Sequence, residues 1–216
     1  MLAYGMRGAV FVVGLQFEAR LAQRLGASVV IGGGTAAGAE AAVSQALATG
    51  AAAVVSFGLA GGLDPSLRAG DIVVPRAVRC GAVELSTDPR LNEWLGGATP
   101  HLLLGACEVV ADIAAKRRLW QNTGAAVIDV ESGAVARGSA ERGVPFAALR
   151  AVCDPAGQSL PAAALVALSA TGVVGLTRVL SSIAASPRQL ASLVSLSVGA
   201  SAARRSLARR LAAMDL

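Results

Sequence analysis

The sequence predicts an α/β fold, a single domain in three layers with a mixed, mostly parallel central sheet flanked by helices. Three observations lead there. Short apolar or β-branched runs alternate with segments of helical period, as in strand–helix–strand units. Glycines or acids repeatedly follow the apolar runs: Gly14, Gly32 to Gly34, Gly58 to Gly62, Glu131 and Asp154. No internal repeat or linker interrupts the series, so residues 1–216 read as one domain with a C-terminal helical segment over about 187–214.

Taken in order, residues 9–15 (AVFVVGL) form a buried strand, and 17–25 a helix with Leu21 and Leu25 one turn apart. A second β-branched run, 28–31, stops at Gly32-Gly33-Gly34-Thr35. The alanine-rich helix 36–49 begins on that loop, an arrangement suited to holding an anion. Residues 52–57 form a fully buried strand, after which Gly58-Leu59-Ala60-Gly61-Gly62 is predicted to leave the sheet as a loop. Without Cβ atoms that loop lets backbone approach a ligand closely, at the strand end where open α/β sheets bind small molecules.

A turn at Asp64-Pro65 leads to strand 71–75, and 76–100 is expected to be irregular with Trp94 as its large anchor. Strand 101–110, helix 111–121 carrying Lys116, Arg117 and Arg118, strand 125–130, helix 132–142 and strand 146–153 complete the alternation. The remainder reads as two or three helices, with Leu207, Leu211 and Met214 at helical spacing.

Composition excludes several classes. With 54% hydrophobic and 15% charged residues the chain is not disordered, and 3% aromatics leave no stacking platform for single-stranded nucleic acid. The net charge of +5 is carried by arginine, Lys116 being the sole lysine. Arg204, Arg205, Arg209 and Arg210 are read as a solvated helix face, so no nucleic-acid partner is expected. Cys80, Cys107 and Cys153 are odd in number and lack a C-x-x-C pair, which suggests neither a disulfide framework nor zinc. His101, the one histidine, is read as a packed side chain, and no metal is expected. Residues 1–15 lack the features of a signal peptide. The apolar stretch 160–185, interrupted by Arg178, reads as a buried amphipathic helix pair rather than a span. A cytoplasmic protein is expected, with contact at a membrane surface left open.

Few acids stand at strand ends. Glu131 follows VIDV and Asp154 follows ALRAVC, so burial should raise both carboxyls above the usual range. A carboxyl that keeps its proton can act as a general acid, and an ionised one can accept hydrogen bonds from sugar hydroxyls. Capping of the following helix is the alternative role for each.

Three co-linear motifs carry a resemblance. Gly58-Leu59-Ala60-Gly61-Gly62-Leu63 followed by Gly70-Asp71-Ile72-Val73-Val74 resembles the signature of the nucleoside phosphorylase and nucleosidase superfamily. Val130-Glu131-Ser132 resembles its Met-Glu-Ser/Ala segment, and Arg150 with Cys153-Asp154 its Arg-x-x-Ser-Asp strand end. The start Gly14-x-x-x-Glu18-Ala19-Arg20 and the arginine-rich tail look most like the hopanoid-associated phosphorylase branch.

The resemblance implies cleavage of a ribosyl–purine bond without a cofactor. Asp154 would protonate or hydrogen-bond the departing purine, and Glu131 would hold the ribose hydroxyls and favour the cationic sugar. Val130 would pack under the sugar. Gly58, Leu59, Ala60 and Gly61 would line the sugar and nucleophile, and Cys153 replaces the usual serine. Gly14, Arg20, Gly33, Gly34 and Thr35 are the candidates for holding phosphate. Glu18 stands one residue early relative to the glutamate that activates water in nucleosidases. Water and phosphate both remain open as nucleophile. The branch resemblance favours inorganic phosphate as co-substrate and a 5′-substituted adenosine, an adenosylhopane in hopanoid biosynthesis. The hydrolytic alternative acts on methylthioadenosine- or adenosylhomocysteine-like nucleosides, and a non-catalytic nucleoside binder is the second class. The expected partners are thus an adenine nucleoside, lipid-linked in the branch reading, and a second copy of the chain in a homodimer.

Overall fold

The structure, a computed structural model, describes residues 8–24, 26–161 and 190–214. Its strands are β1 Ala9–Val13, β2 Ser28–Ile31, β3 Ala53–Gly62, β4 Ile72–Val73, β5 Pro75–Cys80, β6 Val83–Ser86, β7 Thr99–Gly105, β8 Val127–Asp129 and β9 Phe146–Asp154. The helices are α1 Gln16–Gln23, α2 Ala36–Ala48, α3 Pro89–Trp94, α4 Ile113–Thr123, α5 Ser132–Glu141 and α6 Leu190–Ala212. One sheet runs in the order β2-β1-β3-β8-β7-β5-β6, and β9 pairs with both β3 and β4. The pairs β1–β2, β1–β3, β3–β9, β5–β7 and β7–β8 are parallel, whereas β3–β8, β4–β9 and β5–β6 are antiparallel. The mixed, mostly parallel sheet predicted from the sequence is therefore present.

Alternation of side chains along each strand divides the core into layers. Phe11 and Val13 of β1, Val55 and Phe57 of β3, and Ala147 and Leu149 of β9 point to one face. There they meet Leu21 of α1, Leu91 and Leu95 of α3, and Ala203, Leu207 and Leu211 of α6. Val12, Val54 and Ala148 point to the opposite face, against Ala42, Val43 and Ala46 of α2 and Val135 and Ala136 of α5. A smaller cluster joins Leu102 and Leu104 of β7 and Ile128 of β8 to Leu119 and Trp120 of α4.

Three expectations are corrected. Residues 58–62 do not leave the sheet. They stay in β3, paired with β9 as far as Gly61↔Asp154, and then with β8 through Gly61↔Ile128 and Gly62↔Val127. Glycine weakens an isolated strand, but here both edges are paired and neighbouring side chains fill the space left by the missing Cβ atoms. Residues 76–100 are not irregular either. They hold most of the β5–β6 hairpin, which turns at Gly81 with φ +63°, and α3, whose N-terminal N–H groups from Arg90 and Leu91 donate to Asp88. The Asp-Pro pair at a helix start is the local signal for α3. The predicted strand 71–75 is divided, with β4 on β9 and β5 starting afresh at Pro75 on β7.

The C-terminal helical segment expected over about 187–214 is a single helix, Leu190–Ala212, over its described part. Arg204 and Arg205 are exposed as expected, but Arg204 also lies 5.5 Å from the Phe17 ring and Arg210 donates to the carbonyls of Leu95 and Gly96. Most of the apolar stretch 160–185 lies outside the described residues. None of the described helices is long and apolar enough to cross a membrane.

Candidate active site

The carboxyl ends of β1, β3, β8 and β9 meet, and two polar clusters form there. The first is built around Glu18 in the first turn of α1, only 2% exposed. Its Oε2 accepts from the backbone N–H groups of Gly14 at 3.0 Å and Leu15 at 2.8 Å, and its Oε1 from Leu59 at 2.9 Å. The carboxylate thus reaches back to cap its own helix while crossing to β3. Burial raises the Glu18 carboxyl above its usual range, against the opposing pull of Arg150 and the three N–H groups.

Arg150, from β9, is the hub of this cluster and is 1% exposed. Its Nη2 lies 2.5 Å from Asp129 Oδ2 and 3.2 Å from Glu131 Oε2, and donates to Ser56 and Ser132. Burial alone would weaken the guanidinium's charge; Asp129, Glu131 and Glu18 together more than restore it. Ser132, which opens α5, donates from both N–H and hydroxyl to Asp129, so the end of β8 is tied to the helix after it. Three carboxyl groups share one arginine. Burial pushes Glu131 up to about 8, with Arg150 pulling it down and Asp129 and Glu18 adding to the rise.

Two glycines make room for these groups. A Cβ on Gly14 would overlap Glu131 Oε1 and sit 3.2 Å from the Cα of Gly34. Gly58, at φ +152°, lies where a Cβ would overlap Glu18 Oε1 and come within 2.8 Å of Arg150 Nη1.

The second cluster surrounds Asp154 at the end of β9, 3% exposed. Lys116 Nζ donates to Asp154 Oδ2 at 2.6 Å and the Cys153 thiol to Oδ1 at 2.8 Å. Burial raises the Asp154 carboxyl, opposed mainly by Lys116 and then by the thiol. Cys153 itself is pushed well up by burial and by the neighbouring carboxylate. A Cβ on Gly61 would stand 3.2 Å from Asp154 Oδ2, so β3 passes directly over this group as well. Gly58 and Gly61 are three residues apart on β3, about 10 Å at the usual rise per residue.

The structure therefore brings together Gly14, Glu18, Gly34, Gly58, Leu59 and Glu131 on one side, and Gly61, Cys153 and Asp154 on the other. Ala60 is buried between them, paired with Val152, and Val130 is half-buried after β8. Gly33 and Gly34, at φ +76° and +70°, form the loop ahead of α2. Thr35 uses its hydroxyl to accept from Gly38 N–H at 3.1 Å, a helix cap, and is exposed. Arg20 is exposed on α1, on the side of that helix away from the buried Glu18. Capping does not account for Glu131, which makes no side-chain cap to α5; the first N–H of that helix is served by Asp129.

Sequence motifs single out neither Asp129, Ser56 nor Lys116, and Arg150 and Ser132 enter only as parts of motifs. Lys116 adjoins Arg117 and Arg118 on the expected helix, yet it is fully buried. Its signal was available as the one lysine in a chain whose other bases are all arginine. Among the described residues no group of histidine, cysteine and acidic side chains is placed to hold a metal.

A family model described as the phosphorylase superfamily matches residues 102–181. No curated protein matches the sequence. Among solved structures, the 5′-methylthioadenosine/S-adenosyl homocysteine nucleosidase of Helicobacter pylori superposes with a TM-score of 0.70 at 14% identity, covering 97% of this chain and 98% of that one. Futalosine hydrolase of Helicobacter pylori gives 0.64 at 14% identity, over 94% and 97% of the two chains. The Campylobacter jejuni 5′-methylthioadenosine/S-adenosyl homocysteine nucleosidase gives 0.62 at 15%, over 93% and 98%. What this chain shares with these proteins is the α/β fold, with a phosphorylase-superfamily match over the segment that carries Lys116, Asp129, Glu131, Arg150 and Asp154.

Proposed function

We propose that this protein cleaves the N-glycosidic bond of a purine nucleoside and releases the base, with a 5′-substituted adenosine as the substrate class. One observation carries the reading: a buried acidic cluster held by Arg150 and a buried acid backed by Lys116 stand at one sheet end, joined by β3. Glycosidic cleavage develops positive charge on the sugar and negative charge on the leaving base. Glu131 holds the ribose hydroxyls and, in its ionised form, favours the sugar cation. Asp154 supplies the proton, or the hydrogen bond, that lets the purine leave. Val130 and the backbone of Gly58 to Gly61 shape the pocket between them.

Water is the nucleophile this geometry favours. The Gly14, Leu15 and Leu59 N–H groups that an incoming anion would use already bind Glu18. Arg150, the cation of this cluster, is already engaged by Asp129, Glu131, Ser56 and Ser132 and is not free to hold phosphate. A carboxyl raised by burial, such as Glu18, is suited to taking a proton from water. The names of the structural neighbours, nucleosidases and a hydrolase, support the same choice.

Phosphorolysis of an adenosine bearing a hopane substituent is the second reading. It is favoured by the Gly33-Gly34 loop lying against Gly14 ahead of α2, and by the Gly14-x-x-x-Glu18-Ala19-Arg20 start. Incubation with adenosine, methylthioadenosine and a lipid-linked adenosine, each with and without phosphate, tests both. Adenine together with free sugar, at a rate independent of phosphate, is the expected result. A phosphorylated sugar formed only with phosphate present would establish the second reading, and no adenine from any of the three would overturn the function. The homodimer implied by the resemblance belongs to this reading and is measured by sedimentation equilibrium.

A further inference from the structure

We propose that Lys116 is a positioning residue for the departure of the base: its buried ammonium fixes the Asp154 carboxylate and ties the protonation of that acid to occupancy of the base site. The inference rests on the function proposed above and adds a residue that neither the motifs nor the family match assigns.

The geometry is specific. Lys116 comes from α4 and is the one residue of that helix that is fully buried. Nζ reaches four oxygens: Asp154 Oδ2 at 2.6 Å, Asp154 O at 3.1 Å, Gln158 O at 3.0 Å and Pro155 O at 3.2 Å. An ammonium has three N–H groups, so at least one is shared, and no polar capacity is left over. The backbone turns after β9 to present those carbonyls, closed by Gln158 N–H donating to Pro155 O, while Leu160 N–H donates to Ala111 O just before α4. The segment 154–158 is wrapped around one cation. A buried lysine needs such satisfaction, because an unpaired buried charge is among the costliest defects a fold can carry.

The same contact controls the chemistry of Asp154. Among the described residues, the charged or titratable groups against its carboxyl are Lys116 from α4 and Cys153 from β9; β3 contributes Gly61, which has none. Among those residues Lys116 is therefore the one cation in contact with the acid. It favours the carboxylate and holds Oδ2 in place, as the thiol holds Oδ1. When Asp154 is protonated, or shares its proton with a purine nitrogen, the negative charge facing Nζ falls and the Lys116 hydrogen bond weakens. Base binding and the Lys116 contact thus oppose each other through one carboxyl.

Being the only lysine, Lys116 gives a single side-chain resonance in protein labelled with 15N-lysine. The expected result is a slowly exchanging Nζ signal that moves on saturation with adenine and is already displaced in Asp154→Asn. In Lys116→Met, the alkaline limb of the kcat profile should move upward by about one pH unit or more, because the cation that lowers the acid is gone. Its kcat should fall about 10-fold with a smaller change in KM, since the carboxylate loses its orientation. Lys116→Gln, which keeps a donor but no charge, should show the same limb shift with less loss of kcat. A Met variant whose pH profile superposes on the wild type while kcat falls would reduce Lys116 to a structural role and overturn the proposal. So would an Nζ signal unmoved in Asp154→Asn, a measurement that needs no folded lysine variant. If the wild type releases no base from any nucleoside, the function fails separately. In that case the carboxyl 13C titration of Asp154 in wild type and Lys116→Met, without substrate, still decides the coupling.

Discussion

Glu131 and Asp154 illustrate how a site is set by what surrounds a carboxyl. On the proposed function, Asp154→Asn removes the proton donor and should lower kcat by about 100-fold or more with little change in KM, read from adenine release. A loss under threefold would remove Asp154 from the chemistry. Glu131 makes a second test, through pH. Its folded-state carboxyl sits at about 8, above the ordinary 4.5, so between those values the folded chain binds more protons than the unfolded one. Stability from this group is full below about 4.5 and is lost as pH rises toward about 8. Glu18 and Asp154 are raised in the same direction and add to the same slope. Thermal unfolding from pH 4.5 to 8 should therefore show a falling Tm, with a flatter fall in Glu131→Gln. A Tm that climbs across that window would contradict the buried-carboxyl cluster.

The strands carry the site because they are held on both edges. β3 lies between β1 and β9 for most of its length and turns its last two residues to β8. Gly58→Ala tests this arrangement: its Cβ would press on the Glu18 carboxylate and Arg150 Nη1. The expected outcome is loss of turnover well beyond tenfold, together with a lower Tm, because both groups are buried and already bonded. Gly81→Ala, with nothing near its Cβ position, should leave turnover untouched and cost only the left-handed backbone. On the helical layer, Leu207 of α6 is fully buried against the β9 face. Leu207→Ala should destabilise by about 2–5 kcal/mol, measured by chemical denaturation. A cost below 1 kcal/mol would mean that α6 is loosely docked.

Across the whole molecule, burial is concentrated in the middle of the sheet and thins toward β6, where Val83 is 57% exposed. Native-state hydrogen exchange should find the slowest amides in β1, β3 and β9 and faster exchange in the β5–β6 hairpin. Equal protection throughout would contradict a core divided in this way. The alternation of strand and helix was legible because local periodicity and glycine punctuation act within a few residues, and the ends of β1, β8 and β9 fell where the apolar runs stopped. The β5–β6 hairpin was not legible, since its apolar residues are few and its burial comes from neighbours distant in sequence, and α3 had only the short Asp88-Pro89 signal. The glycines of β3 misled for a related reason: a strand tolerates them when other strands and side chains occupy their space, and pairing with β8 and β9 is not written locally.

For the site, the sequence alone determined the acids at strand ends, the glycines that open space beside them and the class of chemistry they allow, because composition and position along the chain decide those. Which groups touch was decided by the tertiary structure. Arg150 gathers three carboxyl groups from β8 and α1, Glu18 takes the backbone donors of β1 and β3, and Lys116 crosses from α4 to Asp154. The Arg150 hydrogen bond to Ser56 alone reaches 94 residues along the chain, and contacts of this kind arise only when a buried charge must find its partner in the assembled core.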